Sequence, residues 1–511
     1  MTQEQGLQRA VEELLFFSVK KGLIEKEDIS FSRNLLLDVL KLDAPGAPVT
    51  AMDVPETATP FLEELADAAV AWGLLDDTST DRELFTARLM GCVTPAPKAV
   101  REEFQKRREE NGPQAATAWF YQLCRDCDYI RVDQIAKNIR YFSNTASGEL
   151  EITINLSKPE KDPREIAKLK NAPQSGYPKC MLCVENPGYA GRLNFPARQN
   201  HRIVPLALHG DRWYLQYSPY LYYPEHCIVL NGQHVPMALS RGSFERLFDF
   251  ADQFPHYFIG SNADLPIVGG SILNHDHFQG GSYVFPMERV RDVCALTAPD
   301  GIRAAVMDWP MSAVSLRGSD REALISLAVK VLDAWREYSD PMRNILALTT
   351  EPHNTVTPIL RREGEGYRLM LVLRNNRTTP EHPLGLFHPH APLHPVKKEN
   401  IGLIEVMGLF ILPGRLKEEL RLLEGYLTGE KPLVRPSEDD PACKHFNWLT
   451  ELVHKTGTAL APEAAQQALR DAVGDICCQV LKDSGVFKQT EDGLAGMLSF
   501  LETVGLKRAQ G

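Results

Sequence analysis

The amino-acid sequence contains the stretch Gly269-Gly270-Ser271-Ile272-Leu273-Asn274-His275-Asp276-His277-Phe278-Gln279-Gly280-Gly281. Alternate residues of an extended chain face the same way, so we predict that His275, His277 and Gln279 line one surface. Glycine pairs at both ends let a bulky anionic ligand approach the backbone, whose amides can point at phosphate oxygens. A polar strand edge between two flexible turns is the alternative explanation. Gln279 together with both glycine pairs favours a phosphoryl-transfer site, and 282–286 is predicted to be the strand that follows.

The composition indicates a chain with material for two or three domains. Its 511 residues carry a formal net charge of −11, so nucleic acid is not expected as a partner, and an anionic ligand must meet local basic residues. The sequence contains no apolar run of about eighteen residues, and Met1-Thr2-Gln3-Glu4 does not begin a signal peptide. We therefore predict a cytoplasmic protein without membrane contact, in which the ten cysteines stay reduced.

Hydrophobic periodicity predicts helices at both ends of the chain and strands between them. Leu7, Ala10, Val11 and Leu14 fall on one helical face. Further helices are predicted at 61–75, 116–130, 241–254 and 321–338 and, past residue 397, for everything that follows. Strands are predicted at 149–156, 226–230, 344–350 and 367–374, of which the first shows clear period-two alternation.

A C-x-x-C pair is the strongest candidate for metal binding. Cys180 and Cys183 lie on a turn after glycine and proline, where metal knuckles form. Zinc needs four ligands, and His234 and His275 are two histidines at reachable places, although His226 could replace His234. Thiols that simply pack in a turn are the alternative.

Two basic loops are candidates for binding phosphate groups. Lys158 and Lys161 place two ammonium groups just after a predicted strand. Arg192, Arg198 and Arg202 lie on a loop with asparagine and glutamine side chains, which suits bidentate phosphate recognition. For each loop, a solvated basic surface is the alternative.

Two further clusters allow a metal but also have a plain structural explanation. His388 and His390 repeat the H-x-H spacing in a region rich in histidine and proline. A second metal site is one interpretation, and structural Pro-His turns are the other. Cys124 and Cys127 have metal-ligand spacing but lie on a predicted amphipathic helix, and we interpret them as packed thiols.

The side chains of the central stretch suit nucleophilic transfer of a phosphoryl group. Unprotonated imidazole is a good nucleophile toward phosphorus, and the phosphoramidate it forms is labile enough to turn over. Gln279 can orient phosphoryl oxygens but cannot act as an acid or base, whereas a histidine in its place could favour hydrolysis. The composition therefore favours transfer to an organic acceptor over transfer to water.

Together these features resemble the galactose-1-phosphate uridylyltransferases of the histidine-triad superfamily, and more narrowly their bacterial class II branch. The likeness extends over essentially the whole chain. It is carried by the segment 274–279, by the C-x-x-C pair, by the histidine-rich region, and by the segments 154–161, 188–192, 194–202 and 353–358.

The resemblance implies a ping-pong exchange without an organic cofactor. UDP-glucose and galactose 1-phosphate would give glucose 1-phosphate and UDP-galactose, with His277 as the nucleophile that carries UMP. Gln279 would hold the phosphoryl oxygens, and His275 would stand beside the nucleophile.

The resemblance also implies two metal sites and a set of substrate contacts. A structural zinc ion would be held by Cys180, Cys183, His234 and His275. The second metal site would consist of His353, His388, His390 and Glu288. Asn262, Lys158 and Lys161 would lie where the better-known class binds nucleotide and phosphates, although that class has arginines at the two lysine positions. The predicted substrate-binding set is completed by Arg192, Arg198, Arg202 and Asn274.

The implied fold class is α/β (α+β), with two histidine-triad-like antiparallel-sheet halves framed by N- and C-terminal helical regions. The predicted divisions are 1–147, 148–290, 291–397 and 398–511, of which the middle two are the halves. Asp276 replaces a proline of the better-known class, and the helical end regions have no counterpart there. That class is dimeric, so a homodimer is implied. A histidine-triad nucleotidyl hydrolase or phosphorylase and a non-catalytic nucleotide-sugar-binding protein are the alternative functions.

Overall fold

The computed structural model describes residues 3–157, 175–299 and 301–509. The chain forms two compact units, and each unit is built from two separate segments. Unit 1 contains Met1–Lys137 and Ser157–Val235, and unit 2 contains Asn138–Leu156 and Pro236–Gly511. The division of the chain at 147, 290 and 397 stays a prediction.

Helices fill most of the first 137 residues and return in unit 2. Their bounds are α1 Gln3–Lys20, α2 Ile29–Leu40, α3 Thr59–Ala71, α4 Ser79–Gly91, α5 Pro97–Asn111, α6 Pro113–Asp126, α7 Val132–Ile135, α8 Arg241–Gln253, α9 Pro286–Arg289, α10 Arg321–Glu337, α11 Leu403–Val406, α12 Leu416–Leu427, α13 Phe446–Thr456, α14 Pro462–Ser484 and α15 Glu491–Thr503. Within the described residues, no helix has both the length and the apolar composition needed to cross a lipid bilayer.

The strands occupy the middle of the chain, with one late addition near the C-terminus. Their bounds are β1 Ile139–Thr145, β2 Gly148–Asn155, β3 Val204–Leu208, β4 Asp211–Tyr217, β5 Cys227–Asn231, β6 Phe258–Gly260, β7 His277–Gly281, β8 Asp292–Thr297, β9 Arg303–Met307, β10 Ala313–Gly318, β11 Asn354–Glu363, β12 Gly366–Asn375, β13 Leu409–Pro413 and β14 Lys507–Arg508.

Unit 1 combines the helices α1 to α7 with an antiparallel meander of β3, β4 and β5. Leu7 and Leu14 are buried, as the helical periodicity of α1 predicted, and each such side chain contributes roughly 2 kcal/mol of hydrophobic free energy. Cys124 and Cys127 are buried free thiols, and the Cys127 thiol donates to the carbonyl oxygen of Asn200 over 3.3 Å. They pack helix α6 against the loop before β3.

Unit 2 contains a larger and a smaller sheet. The strands that unit 2 contributes to the larger sheet follow the order β14-β8-β9-β10-β12-β11-β6-β7. Every neighbouring pair in this series is antiparallel. The smaller sheet has the order β1-β2-β13, in which β13 runs parallel to β2. Helices α8 and α10 pack on β11. The mixed α/β architecture with antiparallel sheets, framed by helical regions at both ends, confirms the predicted fold class.

Two strand predictions next to functional segments are wrong. The segment 344–350 is not a strand, because Asn344 takes the left-handed conformation (φ +61°) after a 3-10 turn and interrupts the extended run; the strand begins later, with β11. The segment 282–286 does not continue β7. Pro286 instead occupies the first turn of α9, and the Glu288 carboxylate accepts from the backbone N–H of Phe285 over 3.0 Å. This capping pattern starts a helix.

The prediction of helix throughout the region past residue 397 is also wrong, because this region contains the strands β13 and β14. Helix α11 has only four residues, since Gly408 follows it with a φ of +95° that turns the chain away. The next residues form β13, whose Leu409 lies opposite Glu151 of β2. The open edge of β2 decides this strand, which is a tertiary effect that helical periodicity does not contain.

Candidate active site

Strand β7 carries two of the three polar residues of the central stretch. It begins at His277 and pairs with β6, where Gly260 lies opposite Gln279. His275 lies in the bend before the strand, so the predicted row of three alternating side chains is reduced to two. Asn274 is exposed in the same bend.

The imidazole of His277 is buried, neutral and fixed in one tautomer. Its side chain is 5% exposed, and burial lowers the pKa of His277 to about 4, although the hydrogen bond to the His275 carbonyl opposes the shift. The Nδ1 atom lies 2.8 Å from the carbonyl oxygen of His275. Because a carbonyl oxygen only accepts, Nδ1 carries the proton and donates, and Nε2 keeps the lone pair. At neutral pH this is the nucleophilic form of the ring.

The side chain of Gln279 has an unused hydrogen-bonding atom. Its Oε1 position is buried and has no partner among the described residues. Rotation of the terminal amide by half a turn would place an N–H donor at the same point. A buried amide without a partner costs about 1–3 kcal/mol, and a phosphoryl oxygen at this position would remove that cost.

The first glycine pair serves the protein rather than a ligand. A Cβ on Gly269 would come within 2.5 Å of the carbonyl oxygen of Ala263, and one on Gly270 within 2.6 Å of Nδ2 of Asn262. Asn262 is 3% exposed, and its Oδ1 accepts from the backbone N–H of Leu403 over 2.9 Å. The glycines therefore let the loop before β7 pack directly on this fixed amide.

In unit 1, Cys180, Cys183 and His234 form a cluster that could hold a metal ion. The two Sγ atoms are 3.6 Å apart, and Sγ of Cys183 lies 3.1 Å from Nδ1 of His234. A tetrahedral zinc ion with bonds of about 2.3 Å separates two thiolates by roughly 3.7 Å. The donor types and the sulfur spacing fit zinc. His275, the fourth predicted ligand, belongs to unit 2 and is buried.

The residues proposed for a second metal are not gathered into a ligand group. His353 uses its two ring nitrogens toward Thr349 and Asn376, at 2.7 and 2.8 Å. The carboxylate of Glu288 accepts from Arg361 over 2.7 Å. His388 and His390 are engaged with, or lie beside, the carbonyl groups of their own turn. Among the described residues, metal-ligand distances occur only in the Cys/His cluster.

The three candidate phosphate-binding arginines of unit 1 differ in whether the protein already supplies partners for their N–H donors. Arg202 donates to the carbonyl oxygens of Pro95, Gln199 and His201 at 2.6–2.8 Å. Arg192 donates to a neighbouring asparagine, a tyrosine hydroxyl and two carbonyl oxygens. The side chain of Arg198 is 7% exposed, and its Nε has no partner in the described chain. Lys158 and Lys161 lie outside the described residues.

Arg198 faces a cavity of about 300 Å³ in unit 1, which we call the arginine cavity. Its guanidinium lies 5.4 Å from the ring centre of Tyr129 and donates to that hydroxyl over 3.3 Å. The same cavity is also lined by Arg192, Phe195 and Tyr220. Aromatic rings and an incompletely paired guanidinium suit a ligand with an apolar plane and an anionic group.

A second cavity of about 230 Å³ adjoins the first, and we call it the carboxyl chamber. The two share a stretch of wall that includes Glu83, Asp128 and Arg131. Burial raises the pKa of the Asp128 carboxyl to about 7, although Arg131 opposes the shift. Sequence analysis missed Asp128. Its position just past the end of α6, with a φ of +53°, is the place where asparagine and aspartate tolerate the left-handed conformation, which is the one available signal.

Comparison with known proteins matches most of the chain to one family. The profile of the galactose-1-phosphate uridyl transferase N-terminal domain matches residues 37–236, and that of the C-terminal domain matches residues 250–427. The chain belongs to the galactose-1-phosphate uridylyltransferase family. The family is one of nucleotidyltransferases, so the predicted enzyme class is confirmed.

Family members similar to this chain are known from several bacteria. A galactose-1-phosphate uridylyltransferase of Caldanaerobacter subterraneus subsp. tengcongensis is 49% identical over 508 residues, covering 98% of both chains. The one of Bacillus subtilis is 46% identical over 502 residues, covering 97% of this chain and 98% of its own. The likeness therefore includes the helical N- and C-terminal regions.

Solved structures give a much more distant match. The yeast Ap4A phosphorylase Apa2 is 12% identical, covers 64% of this chain and 89% of its own, and gives a TM-score of 0.31. A similarity this low carries no argument, and the galactose-1-phosphate uridylyltransferase assignment rests on the sequence matches.

Proposed function

We propose that the protein transfers UMP from UDP-glucose to galactose 1-phosphate through a uridylyl-histidine intermediate on His277. The observation that carries the proposal is the state of that imidazole. It is buried, it is neutral at physiological pH, and its Nδ1–H is held by a carbonyl oxygen so that Nε2 is the free base. The bacterial relatives are named galactose-1-phosphate uridylyltransferases, which supports galactose 1-phosphate as a substrate and uridylyl transfer as the reaction.

The first half-reaction forms one bond and breaks another. Nε2 of His277 attacks the α-phosphorus of UDP-glucose, the N–P bond forms, and the bond from that phosphorus to the bridging oxygen breaks. The electron pair leaves with glucose 1-phosphate, which is a weak base and needs no strong proton donor. The Nδ1–H bond to the His275 carbonyl supports the positive charge that develops on the ring.

The second half-reaction reverses these events with a new acceptor. A phosphate oxygen of galactose 1-phosphate attacks the same phosphorus, the N–P bond breaks, and UDP-galactose leaves. Gln279 orients phosphoryl oxygens in both halves but cannot deprotonate water. We propose Arg198 as a phosphate contact because its buried Nε has no partner within the described residues, whereas Arg202 is committed to backbone carbonyls.

We propose that zinc is the metal of the Cys/His cluster, with a structural role. Cys180, Cys183 and His234 would hold it, and His275 is the fourth ligand that the sequence suggests. Zinc in such a set stabilises the fold and takes no part in the transfer.

The test uses UDP-glucose labelled in the uracil, with no acceptor present. The wild type should release about one equivalent of glucose 1-phosphate per active site and keep the label on denatured protein, since a ping-pong enzyme stops at the covalent intermediate. His277→Ala should do neither. A His277→Ala protein with full exchange activity would exclude this nucleophile. Label lost at the same rate to water or inorganic phosphate as to galactose 1-phosphate would instead indicate a hydrolase or phosphorylase.

A further inference from the structure

The carboxyl chamber of unit 1 is lined by hydrogen-bonding groups of mixed character. It contains the hydroxyl groups of Ser79 and Thr86, the amide of Gln134, and the carboxyl groups of Glu83 and Asp128. None of its described lining residues is aromatic. The chamber therefore offers hydrogen-bond donors and acceptors beside a small aliphatic patch of Leu62 and Ala66, and it has no aromatic wall.

This lining does not suit a phosphate group or a base. Arg82 is occupied by Asp67 and Asp77, each at 2.6 Å, and Arg131 pairs with Glu83 over 2.9 Å. The cations of the chamber are thus neutralised within the protein, and the carboxyl groups repel an anion. A planar base would lack a stacking partner.

A ligand rich in hydroxyl groups meets these conditions. Each hydroxyl donates one hydrogen bond and accepts others, so it can satisfy a carboxyl group on one side and an amide or guanidinium on the other. The volume of about 230 Å³ accommodates a single sugar ring.

An independent observation in the adjoining arginine cavity also points to a ligand. Arg198 is more than nine-tenths buried, lines that cavity, and has no partner for Nε in the described chain. A guanidinium buried in this way is costly without an anion nearby. The arginine cavity therefore favours a phosphate group, next to the wall that it shares with the carboxyl chamber.

From these two adjoining cavities we infer that unit 1 binds the sugar ring of the substrate in the carboxyl chamber, with Asp128 and Glu83 hydrogen-bonded to its hydroxyl groups and Arg198 on the attached phosphate. The inference rests on the proposed function, which supplies UDP-glucose and a hexose 1-phosphate as ligands. It makes Asp128 and Glu83 residues that determine specificity for the sugar.

Asp128 is placed for this role by its backbone and by its lack of protein partners. The left-handed conformation just past the end of α6 directs its side chain into the wall shared by the two cavities. No hydrogen bond to its carboxyl group occurs within the described residues. Asparagine tolerates the same backbone conformation, so Asp128→Asn removes the acid while preserving the turn.

The experiment compares two ligands that differ only in the sugar. The exchange of labelled glucose 1-phosphate with UDP-glucose gives the KM for UDP-glucose, and inhibition of that exchange gives the Ki for UDP. Asp128→Asn should raise the KM about tenfold or more, as expected when a hydrogen bond between a buried carboxyl group and a substrate hydroxyl is lost. The Ki for UDP should stay within about twofold.

Matched variants make the result decisive. Glu83→Gln should shift the same ratio and provides the answer if Asp128→Asn does not fold, and Asp43→Asn, an exposed acid away from both cavities, should leave both constants unchanged. An equal rise in KM and Ki, or no change in either, would overturn the sugar assignment. Wild-type protein without any exchange would overturn the proposed function itself, and the inference with it.

Discussion

At the scale of single residues, the local environment selects the chemistry of His277 and Gln279. Desolvation keeps the imidazole neutral, and the neighbouring carbonyl oxygen fixes the proton on Nδ1. The buried Oε1 position of Gln279 has no partner in the described chain. In the proposed mechanism neither side chain can serve as a base toward water once UMP is attached to His277, so a bound acceptor is favoured. Alignment of that acceptor can supply roughly 7–11 kcal/mol through proximity.

The first prediction concerns the choice between transfer and hydrolysis. Gln279→His should lower transfer by roughly 10²-fold, because an oriented hydrogen bond to the phosphoryl group is lost. It should also raise the ratio of hydrolysis to transfer, because an imidazole can act as acid or base. The ratio is measured as UMP formed per glucose 1-phosphate released, with galactose 1-phosphate present.

A control separates the loss of the amide from the gain of a base. Gln279→Leu should also lower transfer but should leave the ratio of UMP to glucose 1-phosphate as in the wild type. The same ratio in both variants would mean that the shape of the site excludes water and that residue 279 does not choose the acceptor.

At the scale of elements, the loop before β7 is positioned by close packing on Asn262. The missing side chain of Gly270 leaves room for the asparagine amide, whose Oδ1 is held by the backbone of Leu403. Strand β6 lies between β7 and β11, so His277, the proposed nucleophile, lies on a strand paired into the larger sheet of unit 2.

Gly270→Ala should disturb this packing. The added Cβ would lie 2.6 Å from Nδ2 of Asn262, and overpacking of a tight contact costs about 1–3 kcal/mol. We expect a lower melting temperature and a higher KM for UDP-glucose. Gly6→Ala is the control, because its Cβ meets nothing within 4 Å and alanine favours the helix α1. A Gly270→Ala enzyme with wild-type stability and KM would show that Asn262 can move without consequence.

At the scale of the whole molecule, the two compact units do not follow the order of the chain. Strands β1 and β2 belong to unit 2 although they lie between the two segments of unit 1. Parallel pairing of β13 with β2 gives the reason, since it ties a hairpin near residue 150 to a strand near residue 410. Pairing over such a distance in sequence costs loop-closure entropy, which the sheet must offset.

The last prediction concerns the metal of unit 1. Cys180→Ser should lower both the zinc content and the melting temperature, because structural zinc contributes directly to the free energy of folding. Cys92→Ser is the control, since this thiol lies outside the Cys/His cluster and, within the described part of the chain, donates to the Arg88 carbonyl of its own helix. Fully active protein with no zinc above trace by elemental analysis would leave the cysteines as packing residues.

The sequence alone determined the central stretch, the helical ends and the family. His277, Gln279 and the C-x-x-C pair are local patterns whose chemistry depends on residue type and spacing. Helix α1 follows from a 3.6-residue period that the buried leucines satisfy. These features are encoded within a few turns of chain, so no distant partner is needed to predict them.

The tertiary structure decided what depends on distant partners. Strand β13 forms because β2 offers an open edge. The Nε atom of Arg198 has no partner in the described chain, whereas backbone carbonyl groups surround Arg202. Asp128 lines two cavities because α6, α4 and the loop that carries Arg192 and Arg198 come together there. Burial and pairing across long separations are properties of the folded chain, and no local pattern in the sequence specifies them.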